Sequence, residues 1–157
     1  MQILALTGSH KRQGFDCKRP ELNDWLATIA RQHQDKGLSK TFVAVPDDAP
    51  SHIWGYYALT LTEVETVALP DNLRRRLPHV VPGVRLGRLA VDEAVQGRRL
   101  GELLLMDAMQ RVRVIREHAG VLGLFIDALD DGAKSFYVRY GAVVFNNAPL
   151  KLFLPVI

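Results

Sequence analysis

Apolar residues recur along this chain with two alternating periods, and the order in which the periods follow one another is its main architectural signal. Gln2–Leu6 is a short apolar run. Leu22, Trp25, Leu26 and Ile29 then fall at helical spacing behind Pro20, a residue suited to a first helical turn, and predict an amphipathic helix running to about Gln34. Gly37 is a stop. Thr41–Val45 reads as a buried strand closed by Pro46–Pro50, and His52–Leu61, rich in aromatic and β-forming residues, as its antiparallel neighbour across that turn. Glu63–Gly83 carries arginines and prolines without a long period, which predicts a loop with one helical turn near Asn72–Leu77. Val84–Val91 is a third strand, and Leu104, Leu105, Ala108, Met109, Val112 and Ile115 mark a helix from Gly101 to Ala119. Val121–Ile126 predicts a strand, Asp131–Tyr140 a short helix stopped by Gly141, and Val143–Phe145 and Leu150–Leu154 two terminal strands. The expected fold is α/β, with a mixed, largely antiparallel, twisted sheet of about six to seven strands flanked by about four helices. One domain spanning residues 1–157 is expected.

Composition narrows the class. Hydrophobic residues at 48% and charged residues at 24% suit a globular chain rather than a disordered or membrane one. No apolar run approaches the ~20 residues of a membrane helix and the N-terminal run is too short for a signal peptide, so a cytoplasmic protein with no membrane partner is expected. The single cysteine, Cys17, excludes an internal disulfide, and its polar surroundings lack the His or Asn signature of a nucleophile. His10, His33, His52, His79 and His118 show no ligand spacing, so no metal is expected. The net charge of +3 is unevenly placed: between Asn72 and Arg116, ten arginines stand against Asp92, Glu93, Glu102 and Asp107, a local balance of +6. Such asymmetry suits a polyanion, either a phosphorylated cofactor or a nucleic acid.

The chemistry concentrates after the third strand. Gln96-Gly-Arg-Arg-Leu-Gly101 is a polar, glycine-bearing turn between a strand and a helix, an arrangement that leaves backbone N–H groups pointing outward toward a phosphate. This loop resembles the Gln/Arg-x-x-Gly-x-Gly/Ala pyrophosphate loop of the GCN5-related N-acetyltransferases (GNAT). About forty residues downstream, Ala133-Lys-Ser-Phe-Tyr-Val-Arg-Tyr-Gly141 is similar to a second signature of that superfamily. The opening Phe15-Asp-Cys-Lys-Arg-Pro-Glu-Leu-Asn-Asp-Trp-Leu26, with Trp54–Leu59, Arg88–Asp92 and Leu152–Pro155, resembles the acetyltransferase toxins of type II toxin–antitoxin modules.

That resemblance implies a GNAT fold and transfer of an acetyl group from acetyl-CoA to the α-amino group of aminoacyl-tRNA, which blocks translation. It also implies a homodimer neutralised by a ribbon-helix-helix antitoxin, with DNA contact through the antitoxin complex. The acetyl-CoA site is expected at Leu89, Ala90, Val91, Gln96, Gly97, Arg98, Arg99, Leu100, Gly101, Glu102, Ala133 and Phe136. Tyr137 is the expected general acid for the leaving thiolate, with Tyr140 structural. Asp92, Asp127 and Asp130 are near enough to be weighed as bases, and none is singled out. Lys36, Lys40, Arg74, Arg75, Arg76 and Arg85 are the candidate RNA contacts, since arginine and lysine clusters hold phosphate without reading sequence. Three departures stand out: Arg99 and Lys18 occupy positions where the family has glycine, a residue used for positive φ or close backbone approach, and Ala142 replaces the usual aromatic after Gly141. An acetyltransferase of another amine, or a CoA- or antitoxin-binding module with weakened catalysis, fits the same residues.

Overall fold

The computed structural model describes residues 1–156 and forms a seven-stranded mixed sheet in the order β1-β2-β3-β4-β5-β7-β6. The strands are β1 (Gln2–Ala5), β2 (Lys40–Val45), β3 (Gly55–Glu65), β4 (Val80–Val91), β5 (Gly123–Asp127), β6 (Val143–Val144) and β7 (Lys151–Pro155). The helices are α1 (Pro20–Thr28), α2 (Ala30–Asp35), α3 (Asp71–Arg74), α4 (Leu100–Arg116) and α5 (Asp131–Arg139). All pairings with a described register are antiparallel except β4 with β5, so the mixed, largely antiparallel expectation holds.

The chain divides into two compact units. The first comprises residues 1–60 and 88–108. Its core joins the buried face of α1, Leu22, Trp25 and Leu26, to Val43, Val45, Tyr56 and Ala58 of the β2–β3 hairpin. Five of the six β2 residues are buried, which is why Thr41–Val45 reads as a continuous apolar run rather than an alternating one. The second unit comprises residues 61–87 and 109–157. Its core gathers Leu69, Val81, Phe125 and Phe153, with Val64, Leu73, Leu77 and Phe145 packed against it.

Several boundaries differ from those predicted. The single helix expected to Gln34 is two, joined at Ile29, where φ stretches to −117° while ψ stays helical at −38° and the Ile29 N–H still donates to the Trp25 carbonyl at 2.9 Å. The Thr28 hydroxyl donates to the Asp24 carbonyl at 2.7 Å, a back-bond within the helix that competes with the regular ladder, and the adjacent Ile29 is β-branched. β3 starts at Gly55 and runs on to Glu65, four residues past its predicted end, with burial alternating along Thr60–Glu65. β4 starts at Val80 rather than Val84, so the expected 63–83 loop is confined to the segment between Glu65 and Val80, with its helical turn at Asp71–Arg74. Gly83 sits inside β4 because a side-chain carbon there would lie 2.2 Å from the Phe125 ring. α4 ends at Arg116, and the chain tightens into i to i−3 bonds from Glu117 to Val114 and from His118 to Ile115. The five helices agree with the expectation of about four: α3 is the helical turn expected near Asn72–Leu77, and the α1/α2 break adds one.

Candidate active site

In the second unit the parallel register of β4 and β5 runs from Val84↔Leu124 to Leu86↔Ile126 and stops there. Leu89, Ala90 and Val91 lie beyond that point, in the first unit. The Asp92 N–H donates to the Trp54 carbonyl at 2.8 Å, so alternation along the strand turns Ala90 to the same side and the N–H groups of Leu89 and Val91 to the opposite edge. Arg88 is fixed by stacking: its guanidinium lies 4.3 Å from the centre of the Trp25 ring, which stacks on Tyr56. The Tyr56 hydroxyl is anchored to the Leu22 carbonyl at 2.7 Å.

The loop that follows is built around two left-handed residues, Gly97 at φ +83° and Arg99 at φ +62°. Glycine at the Arg99 position would carry no steric penalty; this chain meets the same geometry with arginine. The Gln96 amide donates to the Val91 carbonyl at 2.9 Å and ties the loop to the end of β4. The Leu103 N–H donates to the Arg99 carbonyl at 3.1 Å, so α4 starts here and the N–H groups of Leu100, Gly101 and Glu102 have no earlier helical turn to pair with. Gln96, Gly97, Arg98 and Arg99 are exposed, Gly101 and Glu102 half-buried, and Leu100 is buried as the apolar anchor. Outward N–H groups, the positive end of a 17-residue helix and two exposed guanidinium groups fit a pyrophosphate.

The approach to this loop is bracketed by the Phe15–Cys17 segment. The Asp92 carboxylate accepts from the Asp16 N–H at 3.1 Å and from the Ala94 N–H at 2.9 Å, and the Asp16 carbonyl accepts from the Glu93 N–H at 2.8 Å. The Asp16 carboxylate accepts from the Lys18 N–H at 2.8 Å and the Asn23 amide at 3.0 Å, and these bonds with the Lys18 ammonium hold its pKa below the usual carboxylate range. The Lys18 ammonium lies 3.3 Å from Asp16 and 2.9 Å from Glu93. Like Arg99, Lys18 is left-handed, at φ +68°. Cys17 is buried, burial raises its thiol pKa, and both its N–H and its thiol donate to Asn23 Oδ1, so it holds structure rather than acting as a nucleophile. Sequence reasoning missed this bracket. Its one legible trace was Asp16, Cys17 and Asn23 within the opening motif.

In the second unit Asp130 caps α5 by accepting from the Ala133 N–H at 2.9 Å. Phe136 packs edge-on against Tyr137 and Tyr140, with ring centres at 5.2 and 5.0 Å. Tyr137 is only 4% exposed and burial pushes its phenol pKa up, so it stays protonated across the physiological range. Its hydroxyl has no hydrogen-bond partner among the described residues. The three carboxylates weighed as bases are engaged elsewhere: Asp92 in the bracket, Asp130 as a cap, and Asp127 with Arg85 at 3.3 Å.

The basic candidates fall in both units. Lys36 follows α2 and Lys40 opens β2, both exposed. Arg74, Arg75 and Arg76 are exposed at the end of α3, with Arg74 held to Asp71 at 3.0 Å and Arg76 left-handed at φ +63°. Arg75 and Arg76 have no ion pair among the described residues, whereas Arg85 is paired with the Asp127 carboxylate at 3.3 Å.

No protein-family model matches the chain. It is 36% identical over 140 residues to a tRNA-acetylating toxin of Mycobacterium tuberculosis, a match covering 89% of this chain and 82% of that relative. The chain belongs to the acetyltransferase toxins. The toxin also shares its fold with KacT, whose tyrosine-to-phenylalanine mutant superposes with a TM-score of 0.94 at 31% identity, over 99% of this chain and 94% of that one. AtaT complexed with acetyl-methionyl-tRNAfMet gives a TM-score of 0.90 at 32% identity, over 98% and 94% of the two chains. AtaT has further been solved with the C-terminus of its antitoxin AtaR, and AtaTR with AcCoA. The expected GNAT fold is therefore the one this toxin has. Among the described residues, no helix is long and apolar enough to cross a membrane.

Proposed function

We propose that this acetyltransferase toxin transfers the acetyl group of acetyl-CoA to the α-amino group of an aminoacyl-tRNA and thereby stops translation. The observation that carries the reading is the loop at Gln96–Glu102, whose left-handed Gly97 and Arg99 aim backbone N–H groups and guanidinium charge outward at the N-terminus of α4. It is supported by the relatives, one a tRNA-acetylating toxin and one complexed with acetyl-methionyl-tRNAfMet.

Acetyl-CoA supplies the reactive thioester. Gln96, Gly97, Arg98, Arg99, Leu100, Gly101 and Glu102 bind its pyrophosphate, and Ala133 and Phe136 contribute to holding it. The N–H groups of Leu89 and Val91 polarise the thioester carbonyl as the amine nitrogen attacks its carbon. As the carbon–sulfur bond breaks, the Tyr137 phenol gives its proton to the departing sulfur, the attacking amine, neutral at the start, loses one proton to water, and a proton returned from water restores the phenol. No side-chain base is assigned, since Asp92, Asp127 and Asp130 already have partners. Lys36, Lys40, Arg74, Arg75, Arg76 and Arg85 hold RNA phosphates. Residues 1–157 act as one acetyltransferase domain, in a cytoplasmic homodimer neutralised by a ribbon-helix-helix antitoxin through which the complex contacts DNA.

The test is a cell-free translation reaction with labelled acetyl-CoA. Translation stops and label enters charged but not uncharged tRNA, and Tyr137→Phe releases the block. Label confined to protein or polyamine overturns the substrate, and full inhibition by Tyr137→Phe overturns the acid.

A further inference from the structure

Asp16 and Asp92 stand 76 residues apart in sequence, yet two hydrogen bonds involving the Asp16 main chain join this segment to the turn that opens the pyrophosphate loop. The Asp16 carboxylate is itself held by three donors: the Lys18 N–H, the Asn23 amide and the Lys18 ammonium. The side chains of Lys18, Asp16 and Glu93 are 61%, 47% and 56% exposed, and exposed ion pairs add little to global stability. Their effect is local. Glu93 lies in the Asp92–Val95 turn that the Asp16 main chain holds, and Gln96, one residue on, carries the loop into its two left-handed residues.

We infer that Asp16, with Asn23 and Lys18 as its partners, is a positioning residue for acetyl-CoA: it holds the Asp92–Val95 turn so that the Gln96–Glu102 loop is in its anion-binding form before the ligand arrives. The inference rests on the acetyl-CoA reading of that loop. Apparent affinity scales with the fraction of molecules already in the competent form, so a loop released to about one-tenth competence binds about tenfold more weakly. The carboxylate touches neither the acetyl group nor the amine under this arrangement, and its loss acts on binding rather than on the chemical step.

The experiment uses the full chain as wild type, Asp16→Ala, Asp16→Asn and Lys18→Ala, with calorimetric titration of acetyl-CoA and steady-state acetylation of charged tRNA. Asp16→Ala raises the Kd and KM for acetyl-CoA about tenfold, and saturating acetyl-CoA recovers most of the turnover. Asp16→Asn keeps an oxygen for the Lys18 and Asn23 donors and gives a smaller rise. Limited trypsin digestion supplies a readout without turnover: cleavage after the exposed Arg98 or Arg99 is faster in Asp16→Ala, and acetyl-CoA suppresses it. An unchanged Kd and trypsin pattern overturns the inference, as does a fall in kcat with KM unmoved. Should Asp16→Ala fail to fold, Lys18→Ala, at an exposed position, carries the same test with a smaller shift in the same direction. A wild-type chain that binds no acetyl-CoA overturns the parent reading and this one together, whereas wild-type binding that the variants do not weaken overturns only this one.

Discussion

Replacing Arg99 with glycine separates two effects that the native residue combines. At φ +62° an arginine pays the left-handed penalty of about 1–2 kcal/mol, while glycine there loses roughly 0.5–1 kcal/mol more chain entropy on folding. The difference favours Arg99→Gly by about 0.5–1 kcal/mol, which for a chain of this size raises Tm by roughly 1–4 °C. Ligand binding moves the other way. A charge-assisted bond from guanidinium to phosphate is worth roughly 1.5–3 kcal/mol, so acetyl-CoA affinity falls by about tenfold or more. Arg99→Ala is the control, because it removes the charge and keeps the left-handed strain. Thermal unfolding without ligand, followed by calorimetric titration of acetyl-CoA at two salt concentrations, reads both effects. The two variants lose the same affinity, and only the glycine variant gains stability. A glycine variant no more stable than the alanine one refutes the strain argument, and undiminished affinity in both refutes the phosphate contact.

Other consequences are quicker to test. Gly83→Ala puts a carbon 2.2 Å from the Phe125 ring and costs about 1–3 kcal/mol by overpacking; a drop in Tm that Phe125→Leu in the same chain partly restores checks the cause. His10 is buried, which lowers its pKa below 6.5, and its Nδ1 accepts the Thr7 N–H at 3.0 Å only when unprotonated. Its contribution to stability is therefore present above pH 6.5 and lost as pH falls through the depressed folded-state value, so His10→Asn flattens the acid limb of a Tm–pH profile. Replacing Arg75 and Arg76 together with alanine weakens tRNA binding and reduces the slope of log K against log salt by about 0.7 per lost contact on single-stranded segments. An unchanged slope removes these residues from the RNA interface.

What was legible in the sequence follows from which forces have a period. Burial does, so the stripe of Leu22, Trp25 and Leu26, the apolar run of β2 and the long helix α4 could all be read, as could the strand–turn–helix that carries the phosphate loop. The tail of β3 and the head of β4 could not. Thr60–Glu65 alternates with threonine and glutamate on a half-buried surface, and Pro82-Gly83 reads as turn chemistry until the Phe125 ring explains the glycine. The break at Ile29 is a local stretch of φ beside a hydroxyl back-bond, which a hydrophobic stripe does not register. The site divides on the same line. Gln96–Gly101 was readable because left-handed turns select glycine, while the Asp16–Asp92 bracket was not, because hydrogen bonds between residues 76 positions apart leave no spacing to find.

The left-handed positions join these threads. Among the described residues, those with positive φ that are not glycine are Lys18, Arg76 and Arg99, and all are cationic. Backbone strain of this kind, of order 1–3 kcal/mol per residue, persists where surrounding interactions over-determine it. At Lys18 they do, through the Asp16 and Glu93 carboxylates. At Arg76 and Arg99 no ion pair among the described residues does the same, although glycine would have removed the penalty at either position. At Arg99 the carbonyl accepts the Leu103 N–H at 3.1 Å and anchors the turn to α4, and under the proposed function a guanidinium held at such an exposed turn meets phosphate oxygens. The proposed function gives the two places different anions: the pyrophosphate of acetyl-CoA at Arg99, beside the N-terminus of α4, and an RNA backbone at Arg76, in a run of three exposed arginines. Under that reading arginine stands at these turns for its charge rather than for ease of folding, and the Arg99→Gly and Arg99→Ala pair measures the two contributions separately.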